Sequence, residues 1–180
     1  MNSPDPETPT TAPDHVQRIG GRMLFAFWLV ALVFMTWVAG RWLERQQNPN
    51  SAPQVREQNG VRELVLERNR YGHYVTSGEI NGQPVLLLLD TGASAVAVPD
   101  DMADELGLER LAPVEVSTAN GIAEAWLTRI NEIRIGPLVF TEVSATLNPG
   151  MNHDDSVLLG MSALKHVEFT QKSGLLILRY

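Results

Sequence analysis

Apolar residues are distributed along this chain in two different ways. From Met23 to Gly40 they run together as MLFAFWLVALVFMTWVAG, eighteen residues without a charge. Beyond about Val61 they come in short runs, several alternating with polar residues and separated by Gly-, Asn- and Pro-containing turns. The first pattern predicts a helix that is apolar on every face, and eighteen residues at 1.5 Å rise cover roughly 27 Å, enough to span a hydrocarbon core. The second predicts a domain of strands.

Within that domain, Glu63–Glu67 and Tyr71–Ile80 read as strands. Asn81-Gly82 is a strong hairpin signal leading into a strand over Pro84–Leu89. Ala95–Val98 is a further short strand. Asp100–Leu108, with acids in its first turn and Gly107 near its end, predicts a short helix. Val114–Val116 opens another strand, Ala119-Asn120-Gly121 a second tight turn, and Ile122–Ile130 the returning strand. Glu132–Ile135 alternates, Gly136-Pro137 turns the chain into Leu138–Leu147, and 148–155 is a polar loop. Val157–Leu159 is a buried type of strand, Ser162–His166 a helix, and Glu168–Thr170 with Leu175–Leu178 a closing hairpin. Many short strands with one or two short helices predict a mostly β barrel or sandwich.

Composition changes this picture at the N-terminal end. Residues 1–22 open on a stretch rich in Pro, Thr and acid, which predicts a disordered tail, and 41–60 reads as a flexible linker. For residues 23–40, a buried core helix is disfavoured by the lack of any polar face. A cleaved signal peptide is disfavoured by the length of the apolar run and the long, acidic stretch before it. A single uncleaved transmembrane helix fits best. Arginines flank it on both sides (Arg18 and Arg22; Arg41 and Arg45), so charge does not orient it. Of 21 acidic and 14 basic residues, four of each lie in the first 45 positions, leaving 17 against 10 in the remainder. A domain with that balance repels nucleic acid and anionic surfaces. The absence of cysteine excludes disulfides and thiolate chemistry.

The chemistry lies in Asp90-Thr91-Gly92-Ala93-Ser94, directly after the apolar run Val85–Leu89. An acid at the end of a buried strand is costly unless its charge or hydrogen bonds are used there. The alternative is a turn acid that accepts backbone N–H bonds. Gly92-Ala93-Ser94 lacks the second glycine of a nucleophile elbow. His153-Asp154-Asp155 is read as a polar loop, because no ligand spacing recurs elsewhere, and no metal is expected. His73 and His166 are read as structural.

Residues from about Tyr71 to Tyr180 resemble a retropepsin-like aspartic peptidase, specifically the bacterial membrane-anchored branch. Leu87–Ser94 matches the catalytic loop, Thr118–Gly121 falls at the flap hairpin, and Val157–Met161 matches the late apolar-Gly element behind the loop. The resemblance implies a closed β-barrel, the acid-protease half, over residues 61–180. It implies an endopeptidase without cofactor, active as a homodimer on peptide or protein substrates. Asp90 would be catalytic, with Thr91, Gly92, Ala93 and Ser94 supporting the loop. Ala119, Asn120 and Gly121 would contact substrate. It further implies a bacterial inner-membrane protein held through residues 23–40, with its domain on the periplasmic side and no nucleic-acid partner. Two other readings stay open: a tethered peptide- or protein-binding module of the same fold that does not cut, and a structural β domain.

Overall fold

The structure, a computed structural model, describes residues 14–58, 60–118 and 121–180. It divides into two units, Met1–Trp42 and Leu43–Tyr180. Most of the described first unit is one helix, α1 (Asp14–Gln47), which continues past Trp42 and is longer at both ends than the expected 23–40. Residues 41–47, RWLERQQ, are good helix formers without Gly or Pro. Pro49 then disfavours helical backbone at Asn48, where α1 has stopped. Met23–Gln47 is long and apolar enough to cross a membrane, a criterion that a signal sequence also meets.

The second unit is built from eleven strands among the described residues. They are β1 (Gln54–Gln58), β2 (Val61–Glu67), β3 (Tyr74–Ile80), β4 (Gln83–Leu89), β5 (Val96–Pro99) and β6 (Ala112–Thr118). There follow β7 (Gly121–Ile135), β8 (Leu138–Asn148), β9 (Ser156–Leu159), a four-residue helix α2 (Met161–Leu164), β10 (Glu168–Lys172) and β11 (Leu175–Arg179). Seven strands form one sheet in the order β3-β4-β9-β5-β8-β7-β6, and a β3–β7 pairing at Glu79↔Arg134 and Ile80↔Ile133 closes it into a barrel. The other four form an antiparallel sheet, β1-β2-β11-β10. Leu64, Leu66 and Leu178 of the smaller sheet share one core with Ile80, Leu87, Ile130, Ile133, Leu147 and Leu159 of the barrel, all fully buried.

Several sequence expectations are corrected. Residues 41–60 are not a flexible linker over most of their length. Beyond the end of α1, Asn50 is 3% exposed, and Gln54–Gln58 is β1, paired with β2 from Gln54↔Val65 to Gln58↔Val61. Gly60, at φ 78°, lies between the two strands of that hairpin. Asn50 is the fastener. Its amide nitrogen donates to Glu67 O (2.8 Å) and Val75 O (2.7 Å), its side-chain oxygen accepts from Glu67 N (2.6 Å), and its own carbonyl accepts from Thr76 Oγ1 (3.0 Å).

The helix expected over Asp100–Leu108 is one 3₁₀ turn, Asp100–Met102, followed by further turns. Ala103, Leu106 and Leu108 are all drawn into the core, and Leu108 N closes onto Ala103 O at 2.8 Å instead of continuing an α ladder. The helix expected over Ser162–His166 is α2, which starts one residue earlier and ends two residues earlier, followed by turn-type bonds to Val167. Ile122–Ile130 and Glu132–Ile135 are a single long strand, β7.

Candidate active site

The Asp90 loop leaves the barrel where β4 ends. Val85, Leu87 and Leu89 of β4 are buried in the core, whereas Leu86 and Leu88 are only half-buried, so the burial on both faces expected from the unbroken apolar run is incomplete. Asp90 and the two residues after it are exposed. β4 runs parallel to β9 from Leu86↔Ser156 to Leu89↔Leu159, and Asp90 N donates to Leu159 O (3.1 Å), carrying the ladder one step into the loop.

The loop then closes on itself. Gly92 N donates to Asp90 Oδ1 (2.8 Å) and Ala93 N to Asp90 O (3.2 Å), an Asx-type turn that fixes the carboxylate through one oxygen. The second oxygen has no hydrogen-bond partner among the described residues, nor do the hydroxyls of Thr91 and Ser94. A Cβ at Gly92 would lie 3.2 Å from Asp90 Oδ1, so glycine keeps the carboxylate in place. The turn-acid reading is thus half of the observation: one oxygen serves the turn, and the other has no partner among the described residues.

The loop is supported from beneath by the segment that follows β9. Met161 N donates to Ala93 O (2.8 Å). A Cβ at Gly160 would stand 2.2 Å from Ala95 O and 2.8 Å from Ala93 O, so only glycine lets the two backbones cross here. Ser162 Oγ accepts from Val96 N (2.9 Å) as β5 begins. Sequence reasoning singled out Gly160 but missed Ser162. A serine in a short helix carries no signal of its own, and its partner lies 66 residues away.

The hairpin of β6 and β7 pairs from Ala112↔Leu127 to Thr118↔Gly121. Ala119 and Asn120 lie outside the described residues. Gly121 is exposed at φ 114°, and Ile122 beside it is 77% exposed. Thr118 Oγ1 donates to Gly121 O (2.8 Å) across the base of the turn. Elsewhere, His153 N donates to Asp101 Oδ2 (3.1 Å), so that polar loop is fastened to the turn after β5. Among the described residues no group of three or more His, Asp or Glu gathers as a metal site.

The sequence profile of the gag-polyprotein putative aspartyl protease family matches residues 76–166. The chain belongs to this family. Its match runs from β3 to the end of the turns after α2, and so contains the Asp90 loop, the hairpin and the Gly160 crossing. All four strands of the smaller sheet lie outside it. A crystal structure of a retropepsin-like aspartic protease from Rickettsia conorii has a TM-score of 0.55 and 29% identity, covering 71% of this chain and 94% of that one. The retropepsin-like fold is therefore shown. An uncharacterized protein in the cobV 5′ region of Sinorhizobium is 36% identical over 126 residues, 68% of this chain and 54% of that protein. One from Rickettsia prowazekii (strain Madrid E) is 32% identical over 124 residues, with 67% and 52% covered. The chain spans about half the length of these two curated relatives.

Proposed function

We propose that this retropepsin-like chain is a membrane-anchored aspartic endopeptidase whose site is completed by a second copy of itself. The observation that carries the reading is Asp90, exposed at the end of a buried strand with one carboxylate oxygen pinned and the other open. A group fixed from below and uncovered from above is half of a two-carboxylate site. Two such groups about 3 Å apart cannot both ionise and share one proton. The ionised member takes a proton from the attacking water. The protonated member hydrogen-bonds the peptide carbonyl, and the tetrahedral species collapses as the leaving nitrogen is protonated. The pair titrates as one unit. Thr91, whose hydroxyl has no partner among the described residues, is suited to bond across the two-fold axis. Ala93 and Ser94 complete the loop, and Gly121 with the hairpin tip is suited to cover an extended substrate bound by main-chain hydrogen bonds.

Met23–Gln47 supplies the anchor, and confining two copies to a plane raises their effective concentration. The domain faces the periplasm in this reading, which protease accessibility of intact spheroplasts checks. The catalytic claim is tested by Asp90→Asn, which keeps the Gly92 bond and removes the acid. Cleavage of a peptide library should be abolished while the melting temperature and the dimer seen in ultracentrifugation persist. Undiminished cleavage refutes the assignment.

A further inference from the structure

Among the described residues, β1 and β10 bound the smaller sheet and β6 bounds the larger, each with one side unpaired. An open edge offers a row of N–H and C=O groups to another strand, and sequences blunt most such edges with charge or proline. Two copies that meet antiparallel at one edge are related by a two-fold axis, so the central residue of the strand faces itself. For β1 the central residue is Arg56, and two guanidinium groups would oppose each other. For β6 it is Glu115, already opposite Glu124 in its own hairpin, and Pro113 lacks an N–H. Both edges disfavour their own copies.

β10 differs. Its five residues, Glu168–Lys172, are all exposed. Its central residue is Thr170, and threonine pairs favourably with threonine across strands. About that centre Glu168 faces Lys172 of the second copy, and Lys172 faces Glu168, so both ends bring opposite charges together. The backbone agrees. Ser173 and Gly174, at φ 52° and 78°, form the two-residue turn between β10 and β11. The flanking pair Lys172↔Leu175 is therefore hydrogen-bonded, and in alternation so are Thr170↔Ile177 and Glu168↔Arg179. Phe169 and Gln171 turn their N–H and C=O groups toward the open side. In the register centred on Thr170 these two residues face each other across the edge, so each group exposed there meets its partner. Glu168 and Lys172 then occupy the closer, non-hydrogen-bonded pairs, with Cα atoms about 4.5 Å apart.

The side chains extend a pattern already present in the sheet. Arg56, Glu63, Arg179 and Glu168 are successive cross-strand neighbours from β1 to β10 and alternate in sign. Arg179 Nε donates to Glu63 Oε1 (2.8 Å) within this row. Lys172 of a second copy is the cation that continues it. In its own sheet Lys172 faces Leu175, and it has no ion-pair partner among the described residues.

We infer that two copies of this chain join through β10, paired antiparallel about Thr170, so that their smaller sheets become one continuous sheet. The pairing stands on the edge itself, and it supplies the second copy that the Asp90 reading requires.

The chain has no cysteine, so Thr170→Cys introduces a single thiol, and the facing pair at about 4.5 Å lies within disulfide range. In the full chain in detergent micelles, mild oxidation should convert this variant to a covalent dimer, whereas Gln54→Cys on the exposed β1 edge should stay largely uncrosslinked. Glu168→Lys and Lys172→Glu each make both end pairs repulsive. Each should raise the dimer dissociation constant roughly tenfold to a hundredfold in analytical ultracentrifugation. Mixed together, the two variants meet with opposite charges at both ends and should recover nearly the parent affinity. A Thr170→Cys chain that crosslinks no faster than Gln54→Cys, or a mixture that does not recover, overturns the β10 pairing and leaves the Asp90 reading with a dimer formed elsewhere. Undiminished cleavage by Asp90→Asn overturns the Asp90 reading and leaves the β10 pairing intact. A parent chain that stays monomeric overturns both.

Discussion

Replacing Gly160 with alanine tests whether the Asp90 loop is held from beneath. Gly160 has φ −92° and ψ −171°, extended backbone that alanine adopts without strain, so the perturbation is steric alone. The added methyl would lie 2.2 Å from Ala95 O, 2.7 Å from Ala95 C and 2.8 Å from Ala93 O. These are backbone atoms of the loop itself, with no flexible side chain to swing away. Reaching an ordinary carbon–oxygen separation of about 3.3 Å requires the loop and the α2 start to part by about 1 Å. That movement strains the Met161 N to Ala93 O bond and costs about 1–3 kcal/mol, as overpacking does in other interiors. For the 138 residues of Leu43–Tyr180, 1 kcal/mol lowers the melting temperature by about 3 °C, so a drop of roughly 3–10 °C is expected by calorimetry. Because the displaced segment carries Asp90, peptide cleavage per folded molecule should also fall about 100-fold, the usual penalty for a 1 Å misplacement. A variant that melts lower but cleaves at the parent rate would refute the coupling of Gly160 to the loop.

Other substitutions address the surrounding parts. Asn50→Ala strands the N–H and carbonyl of Glu67 and the carbonyl of Val75, and should cost about 2–4 kcal/mol in urea denaturation of the full chain. Ser162→Ala leaves Val96 N without its acceptor at a fully buried residue. A loss of about 1–2 kcal/mol is expected, with a cleavage defect smaller than that of Gly160→Ala. Leu87→Ala empties a fully buried position in the strand leading to Asp90, with an expected loss of about 2–5 kcal/mol by chemical denaturation.

The barrel was legible because its strands announce themselves locally. β4 and β9 are apolar runs bounded by turn residues, and β3 and β4 meet at an Asn-Gly turn in which Asn81 takes φ 50° and Gly82 φ 82°. β1 was not legible, since QVREQ offers one apolar residue and is exposed over its described side chains. It is a strand because β2 presents an open edge to it, a fact that belongs to the partner strand. The segment 100–108 misled for a related reason. Its acids and Gly107 satisfy the local rules for a helix, but burying Ala103, Leu106 and Leu108 at the barrel end requires tighter turns. At the site, Asp90 and Gly160 were visible as a charge and a glycine out of place beside apolar runs. Ser162, Asn48 and Asn50 were not, because each is a small polar residue whose role is fixed by partners far away in sequence.

Asn50 changes what an anchor does for a site of this kind. A flexible linker would let two domains meet in any orientation and would supply only concentration. Instead Asn48, Asn50 and Asn69 bond residues 47–50 to β2, β3 and the loop between them. On the proposed reading both copies are held in one bilayer, so they meet in a plane and not in bulk solution. Because residues 47–50 are already bonded to the domain, less chain is left to order at association, and the entropy lost there shrinks accordingly. It also explains how exposed half-sites are compatible with an acidic domain that repels its own copies in solution. Confinement to a plane offsets a repulsion that would otherwise keep the second carboxylate away.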